Sequence, residues 1–219
     1  MRSGHGWLGI GLALTLGLAL ASSARAGGES PVLGKLVEAG KLPPLAQRLP
    51  ERPRVLATDP EAVYGGDLRM LIGTLKDTKL AFVYGYARLV GWDRNFRLVS
   101  DIVERYDIED GGRTFTFRLR KGHRWSDGAP FTSADFAYWW TNVANDDELS
   151  PGGPPATLRV DGEMPKMTFP DPLTVRLRWS KPNNLFLIDQ ASAYPTIIYR
   201  PAHYLKQFHK AFNTADALK

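Results

Sequence analysis

Cysteine is absent from the 219-residue chain, and its absence excludes several kinds of site. The chain has no disulfide, no thiolate metal ligand and no cysteine nucleophile, and no lipid can be attached at a lipobox cysteine. Stability must come from burial and hydrogen bonding alone. For an exported protein, this composition predicts a periplasmic location without a lipid anchor.

Catalytic sequence patterns are also missing. The chain has no Gly-x-Ser-x-Gly motif, and no glycine-rich phosphate loop follows a strand. His203 and His209 are six residues apart, which does not match a zinc pair at i and i+4. His123, Ser126 and Asp127 have the residue types of a catalytic triad, but they lie in one turn and cannot orient one another there. We therefore expect no catalytic residue, no metal and no cofactor.

The charge of the chain does not indicate a nucleic-acid partner. The net charge is +5 at pH 7, from 28 Lys and Arg against 23 Asp and Glu. The basic residues are interspersed with acidic ones and form no run, as is typical of a solvated surface.

The first 26 residues have the pattern of a secretory signal peptide. Arg2 is followed by an uncharged apolar run at 8–21, and an Ala-x-Ala cleavage site ends at Ala26. The apolar run is about 14 residues long, and a membrane-spanning helix needs about 20. The sequence therefore predicts export and cleavage after Ala26.

Residues 114–120 have the alternation of a half-buried strand. Phe115, Phe117 and Leu119 fall on one face, and polar residues fall on the other. An Asp-Gly-Gly turn precedes the strand and allows it to pair with residues 105–109 as a hairpin.

A turn and a capped helix follow this strand. Ser-Asp-Gly at 126–128 has turn chemistry, and Asp127 is predicted to accept backbone amides near the helix start at Thr132. Thr132 and Asp135 have the spacing of a capping box, with Asp in place of the usual Glu or Gln. The pattern predicts a helix over 133–144.

The tryptophans of this region allow two interpretations. Helical spacing places Phe136, Trp140 and Val143 on one stripe, which is typical of core packing. Trp139 points roughly 100° away and is the aromatic residue expected to be exposed. Carbohydrate stacking by these tryptophans and Trp125 is the alternative.

Further elements are predicted on both sides. A second hairpin joins 166–169 to 173–179, and residues 146–162 form a polar insertion without regular structure. Asn184 is expected to cap a short helix, and another helix runs over 201–208.

The N-terminal part is predicted to be mostly extended. Its prolines and glycines leave room for one short helix at 33–39. A strand at 67–72 and a loop at 73–78 follow. The apolar segment 80–89 suits a helix or a strand.

Four motifs in order resemble family 5 of the extracytoplasmic solute-binding proteins, the oligopeptide- and dipeptide-binding subunits of ABC importers. Residues 114–136 are similar to the characteristic run T-F-x-L-R-x-G-x-x-W-x-D-G-x-P-F-T-A-x-D-V. Residues 64–69 resemble the opening G-G-x-L-R strand, and 169–177 a later hairpin. Residues 83–89 resemble the Y-E-G-L segment, with a Gly and an Ala that depart from it. The likeness covers roughly 31–210.

The resemblance implies an α/β, type II periplasmic-binding-protein fold with two lobes that close over the ligand. It also implies that this chain is the N-terminal part of a longer protein, with the start of lobe I and a hairpin-rich extra subdomain. The lobe-I strand would then lack its partner strands, and the opposite wall of the cleft would be absent. We therefore expect the chain alone to fold poorly outside that subdomain and to bind no ligand tightly. The implied divisions are a signal peptide at 1–26, an extended leader at 27–63, a first segment of lobe I at 64–87, the hairpin-rich subdomain at 88–195, and a return toward lobe I at 196–219.

The resemblance also implies a function. A monomeric, non-enzymatic periplasmic protein would capture peptides or similar solutes and deliver them to ABC permease subunits in the inner membrane. One alternative is a family member that binds nickel chelates, opines or sugars. Another is an extracytoplasmic hydrolase or carbohydrate-active enzyme that uses His123, Trp125 and Asp127.

The resemblance separates ligand contacts from residues that maintain the fold. The loop after the first strand lines the cleft in relatives, which makes Thr74, Lys76 and Thr78 candidate ligand contacts, with Tyr84 and Tyr86 as candidate cleft aromatics. The main anchoring residues are expected in a later half of the protein. The residues expected to maintain the fold are Trp125, Asp127, Gly128, Pro130, Phe131, Thr132 and Asp135.

Overall fold

The computed structural model describes residues 28–56, 67, 69–80, 88–214 and 216. The helices are α1 (Pro31–Glu38), α2 (Leu45–Arg48), α3 (Ser133–Tyr138), α4 (Phe186–Gln190) and α5 (Ala202–Leu205). The strands are β1 (Val90–Trp92), β2 (Leu98–Ser100), β3 (Val103–Glu109), β4 (Thr114–Leu119), β5 (Lys166–Asp171) and β6 (Thr174–Arg178). Short 3₁₀ helices cover Leu75–Leu80, Ala156–Leu158 and Lys206–Phe208, and a π-helix covers Trp139–Ala144.

Both predicted hairpins belong to one antiparallel sheet with the strand order β3-β4-β6-β5. The link is the pairing of β4 with β6, which places Phe115 opposite Leu177 and Phe117 opposite Val175. All four side chains are buried in the core. The two hairpins are therefore confirmed, and they share one hydrophobic face. Strands β1 and β2 form a separate two-stranded sheet.

Strand β4 is buried on both faces, although the alternation predicted burial of one. Thr114 and Thr116, on the polar face, are 3% and 0% exposed. Arg176 on β6 donates from Nε to Thr116 Oγ1 at 3.1 Å. The prediction failed because Arg176 of the neighbouring strand covers Thr116 and the Thr114 hydroxyl donates to Asp110 in the preceding turn, and alternation within one strand cannot show either contact.

The predicted helix at 133–144 is present, but its second half is π-helical. Phe136 is fully buried, and Trp140 and Val143 pack against the core as expected. Trp139, predicted to be exposed, is only 3% exposed. That prediction is wrong because the wider i→i+5 turn changes the angular position of each residue after Tyr138.

Residues 28–56 lie on the surface, with no buried side chain. Helix α1 begins after Ser30, whose hydroxyl accepts a hydrogen bond from Leu33 N at 3.3 Å, and it covers most of the helix predicted at 33–39. Helix α2 was not predicted. It begins directly after Pro44, so the proline lies outside the helix that it would otherwise interrupt.

The strand predicted at 67–72 is not formed in its described residues. Residues 69–72 have no regular structure, and the Leu71 side chain is fully exposed. A strand needs a neighbour for its N–H and C=O groups, and no strand in the described part of the chain pairs with this segment. Residues 81–87, most of the predicted helix at 80–89, lie outside the described residues.

Two predictions in the last third need correction. Helix α4 follows Leu185, and the expected cap, Asn184, makes no side-chain cap hydrogen bond. The carbonyl of Asn183 accepts from Phe186 N instead, at 3.4 Å. The insertion at 146–162 contains a 3₁₀ turn that buries Leu158, because the Leu158 carbonyl accepts the indole N–H of Trp179 at 2.8 Å. The helical segment predicted over 201–208 is confirmed as α5 followed by a 3₁₀ turn.

Candidate functional site

The signature turn, residues 122–132, is closed by its own backbone. Trp125 N donates to the Ala129 carbonyl at 2.8 Å, and Gly128 N donates to the Trp125 carbonyl at 2.9 Å. The Asp127 carboxylate accepts from Ala129 N at 3.0 Å. Gly128 has φ +90°, a conformation that disfavours any residue with a Cβ. The turn assigned to this segment is therefore confirmed.

The carboxylate of Asp135 connects the signature turn to two helices. Its Oδ2 accepts from Thr132 N at 2.9 Å and from the indole N–H of Trp125 at 3.2 Å, and its Oδ1 accepts from Ala202 N at 3.0 Å. The Thr132 hydroxyl accepts in return from Ala134 N, which completes the predicted capping box. The helix-start amide assigned to Asp127 is thus bound by Asp135, since only Asp135 lies one helical turn after the cap.

Aromatic rings pack behind the turn. Phe131 lies 5.3 Å from Trp125, 5.6 Å from Phe136 and 5.2 Å from Tyr199, measured between ring centroids. Trp125 is half-buried, and its polar edge is bound by Asp135, so its place is in the wall of the core rather than on a free stacking surface. Pro130 lies at the surface, where it forms an isolated bridge with Arg124.

Asp127 forms a contact that the sequence did not predict. Its carboxylate lies 2.6 Å from Nε2 of His203, which is on α5. This hydrogen bond, followed by the Ala129 amide, lowers the pKa of Asp127. Because the two residues are 76 positions apart, no local spacing indicated the pair.

The triad-like residues of the turn are not arranged for nucleophilic catalysis. His123 packs edge-on against Phe131 at 5.4 Å, and its buried Nδ1 has no hydrogen-bond partner among the described residues. Burial, then the charge of Arg120, lowers the pKa of His123. The histidine that contacts Asp127 is His203, and no hydrogen bond to Ser126 is present in the described part of the chain.

Charged contacts hold residues 50–54 against the body of the protein. Arg54 Nη1 lies 2.9 Å from Asp101 Oδ1, and Lys121 Nζ lies 2.8 Å from Glu51 Oε1. The Lys121 carbonyl also accepts from Glu51 N at 3.0 Å. A further ion pair joins Arg52 to Glu104.

This docking leaves a cavity of about 1140 Å³ between the leader and the signature turn. Arg124, Trp125 and Asp127 contribute side chains of both charges and one ring to its wall. Its other lining residues come from 42–53, Gly122, Ser126 and Gly128. The cavity can hold a solute, but Thr74, Lys76 and Thr78, the predicted ligand contacts that the structure describes, are not among its lining residues.

The predicted contacts that the structure describes lie elsewhere. Thr74, Lys76 and Thr78 are exposed, in or directly before the 3₁₀ turn Leu75–Leu80, where a loop was predicted. The turn forms because the carboxylate of Asp77 accepts from Gly73 N at 2.7 Å and from Thr74 N at 2.9 Å. Tyr84 and Tyr86 lie outside the described residues.

The described residues contain no group of three or more His, Cys, Asp or Glu side chains that could hold a metal ion. No helix there has the length and apolar character needed to cross a membrane.

Comparison with known proteins defines the class. Residues 97–217 match the family model of the bacterial extracellular solute-binding proteins, family 5. The chain is also 30% identical over 211 residues to the periplasmic alpha-galactoside-binding protein of Rhizobium meliloti (strain 1021), covering 83% of this chain and 29% of that protein. The chain therefore belongs to family 5 of the extracellular solute-binding proteins.

Solved structures agree with this assignment. An oligopeptide-binding protein OppA superposes with a TM-score of 0.74 at 36% identity, over 87% of this chain and 30% of that one. The periplasmic binding protein MelB from Agrobacterium fabrum C58, in complex with stachyose, superposes with a TM-score of 0.60 at 23% identity, over 86% and 32%. The expected type II periplasmic-binding-protein fold is confirmed, and the chain spans about a third of the length of these relatives.

Proposed function

We propose that this chain belongs to the solute-capturing component of an ABC importer and that its solutes are peptides. The observation that supports this most strongly is the likeness to the oligopeptide-binding protein, with 36% identity over 87% of the chain. A binding role also agrees with the signature turn, because its polar side chains form hydrogen bonds that connect the turn to α3 and α5.

The ligand would be enclosed between lobes, as the two-lobe fold implies. We assign Thr74, Lys76 and Thr78 to the lobe-I wall of that cleft, because they are exposed and carry hydroxyl and ammonium donors. Tyr84 and Tyr86 are assigned to the same wall on sequence alone. The divisions at 1–26, 27–63, 64–87, 88–195 and 196–219 belong to this proposal.

An oligosaccharide is the second candidate ligand. The alpha-galactoside-binding relative is 30% identical to this chain, and the alignment covers 83% of it, so the likeness is not confined to one motif. Peptides and α-galactosides differ in charge and in their hydrogen-bonding groups, so one binding experiment separates them.

The test is thermal unfolding of the full-length periplasmic protein with a peptide pool and with an α-galactoside series. A ligand at one hundred times its Kd should stabilise the protein by about 2.7 kcal/mol. Stabilisation by peptides alone supports the proposal, and stabilisation by α-galactosides alone replaces peptides by oligosaccharides. Turnover of either ligand, abolished by Asp127→Asn, would favour the hydrolase alternative and contradict a non-enzymatic role.

Export, delivery and oligomeric state can be tested separately. N-terminal sequencing of the periplasmic protein should begin at Gly27, since the cleavage site ends at Ala26. A mature protein that retains Arg2 would contradict the signal-peptide proposal. The proposed partner is an inner-membrane ABC permease, and light scattering should show a monomer.

A further inference from the structure

Two positive charges lie directly opposite each other in the sheet. Lys166 on β5 is paired in register with Arg178 on β6, so their side chains project from the same face. Both residues are exposed, and their charged groups form no ion pair or hydrogen bond with the described residues. Like charges at directly opposite positions destabilise a sheet, so this arrangement opposes folding.

An exposed arginine directly before the neighbouring strand β4 borders the same site. The carbonyl of Arg113 accepts from Trp179 N at 2.9 Å, which extends the β4–β6 ladder by one residue. Arg113 Nε donates to the Asp110 carbonyl at 2.8 Å, which holds its guanidinium at the β3–β4 turn, away from Lys166 on β5. A cavity of about 390 Å³ is bounded by Arg113, Glu163, Lys166, Arg178, Trp179 and Ser180.

The residues that line the cavity carry less negative charge than positive charge. Glu163 is the acidic residue of the lining, and its carboxylate is hydrogen-bonded to the Ser180 hydroxyl. Glu109 is two strands away from Arg178, because Thr114 lies between them in the register. Lys166 and Arg178 against one carboxylate leave a net positive charge at this site.

We propose that this cavity binds an oxyanion, phosphate or sulfate, either free or as an ester group. Such an anion neutralises the like-charge pair of Lys166 and Arg178, neither of which forms an ion pair with the described residues. The Arg178 guanidinium offers paired N–H donors that match the oxygens of such an anion, and the Lys166 ammonium adds a second donor group. The site lies on the polar face of the sheet and is distinct from the candidate solute contacts at 74–78.

The test compares inorganic phosphate and sulfate with chloride at equal ionic strength, using thermal unfolding of the full chain. Phosphate or sulfate should raise Tm saturably, and chloride should not. The double variant Lys166→Gln with Arg178→Gln should unfold at a higher Tm than the wild type without anion, and its Tm should no longer respond to phosphate. The stabilisation is expected because the like-charge pair is removed.

Lys181→Gln is the matched control. Lys181 is a neighbouring cation whose ammonium is bound to Asp161 at 2.7 Å, so its removal should leave the phosphate response unchanged. An equal response to chloride, or a phosphate response that persists in the double variant, overturns the proposal.

Two further measurements distinguish a small phosphate ester from a lipid headgroup as the source of the anion. A saturable Tm response to glycerol phosphate assigns a small phosphate ester. Sedimentation with vesicles containing phosphatidylglycerol, abolished in the double variant, assigns a lipid headgroup. Absence of response to free phosphate, free sulfate, glycerol phosphate and vesicles contradicts an oxyanion site.

Discussion

Residues 88–214 contain all the buried apolar side chains that the structure describes, whereas residues 28–56, 67 and 69–78 contain none. The first region is organised by a sheet that packs against a helix, and the second is held by ion pairs and a few backbone contacts. The stabilisation from buried apolar surface is not weakened by salt. Exposed ion pairs contribute little to stability, and salt screens their attraction. The comparison indicates that the 88–214 region defines the stable part of this chain.

Hydrogen exchange should show the largest difference between the two regions. Amides of β3, β4 and β6 should exchange only through global unfolding, with an opening free energy of about 5–15 kcal/mol. Amides at 28–56 and 69–80 should exchange through local opening at close to zero cost. Mass spectrometry of exchanged peptides measures both, and equal protection of the two regions would contradict the comparison.

A core substitution sharpens the same contrast. Phe117→Ala removes a ring that is 0% exposed and should lower the free energy of unfolding by about 3–5 kcal/mol. Leu36→Ala in α1, at a side chain 38% exposed, is the control and should change it by about 0.5 kcal/mol or less. Urea denaturation followed by circular dichroism measures both. Similar losses in the two variants would mean that the leader is also part of the core.

Asp135→Asn tests a polar connection inside the stable region. The buried carboxylate accepts three N–H groups, and an amide can accept them with only one of its two terminal atoms. The free energy of unfolding should fall by about 1–3 kcal/mol, and Trp125 fluorescence should change. Asp93→Asn, at a carboxylate of the exposed β1–β2 turn, is the control and should leave that fluorescence unchanged. An unaltered stability in Asp135→Asn would show that these contacts are replaceable by water.

Phe96→Gly tests a position in the 88–214 region where backbone conformation, and not burial of the side chain, affects stability. Phe96 lies at the tip of the β1–β2 hairpin with φ +57°, and its side chain is 86% exposed. A left-handed conformation costs a non-glycine residue roughly 1–2 kcal/mol, so glycine should raise stability by about 1 kcal/mol. Phe96→Ala, which keeps the Cβ, should give less. A loss of stability in the glycine variant would show that the ring packs against something.

The smallest effect is expected at Asp127 and should depend on pH. The pKa of Asp127 is lowered in the folded state by the hydrogen bond to His203. A carboxyl group whose pKa is lowered by folding stabilises the fold at pH values above its unfolded pKa of about 3.9. This stabilisation is lost as the pH falls through the pKa of the folded state. Wild type and Asp127→Asn should therefore differ in Tm at pH 5 and converge below pH 3. A difference that grows on acidification would contradict this sign.

Local patterns predicted the sheet and the capped helix well. Alternation located β4 and β6, and the short turns before them located their hairpin partners β3 and β5. Spacing also predicted the capping box of Thr132 and Asp135. The failures have a different origin: burial of Thr116 needs the side chain of Arg176, and burial of Trp139 needs a π-turn that no residue type announces.

The candidate site was predicted less completely than the fold. The turn residues were placed correctly because Gly128 and Asp127 act through local backbone geometry. The role of His203 was missed, and the helix-start amide was assigned to Asp127 instead of Asp135. The first error concerns a contact between separate elements, whereas the second concerns an amide within the capping box, which binds Asp135 three residues later.

The sequence by itself determined the family, the two hairpins at 105–120 and 166–179 and the helix cap, because these depend on residue types within a few positions of one another. Only the tertiary structure decided that β4 and β6 join the two hairpins, that Asp135 connects the turn to α5, and that Lys166 and Arg178 lie in one charged cavity. These features join residues that are distant along the chain. Their geometry follows from how the strands pair and pack, and sequence spacing does not encode it.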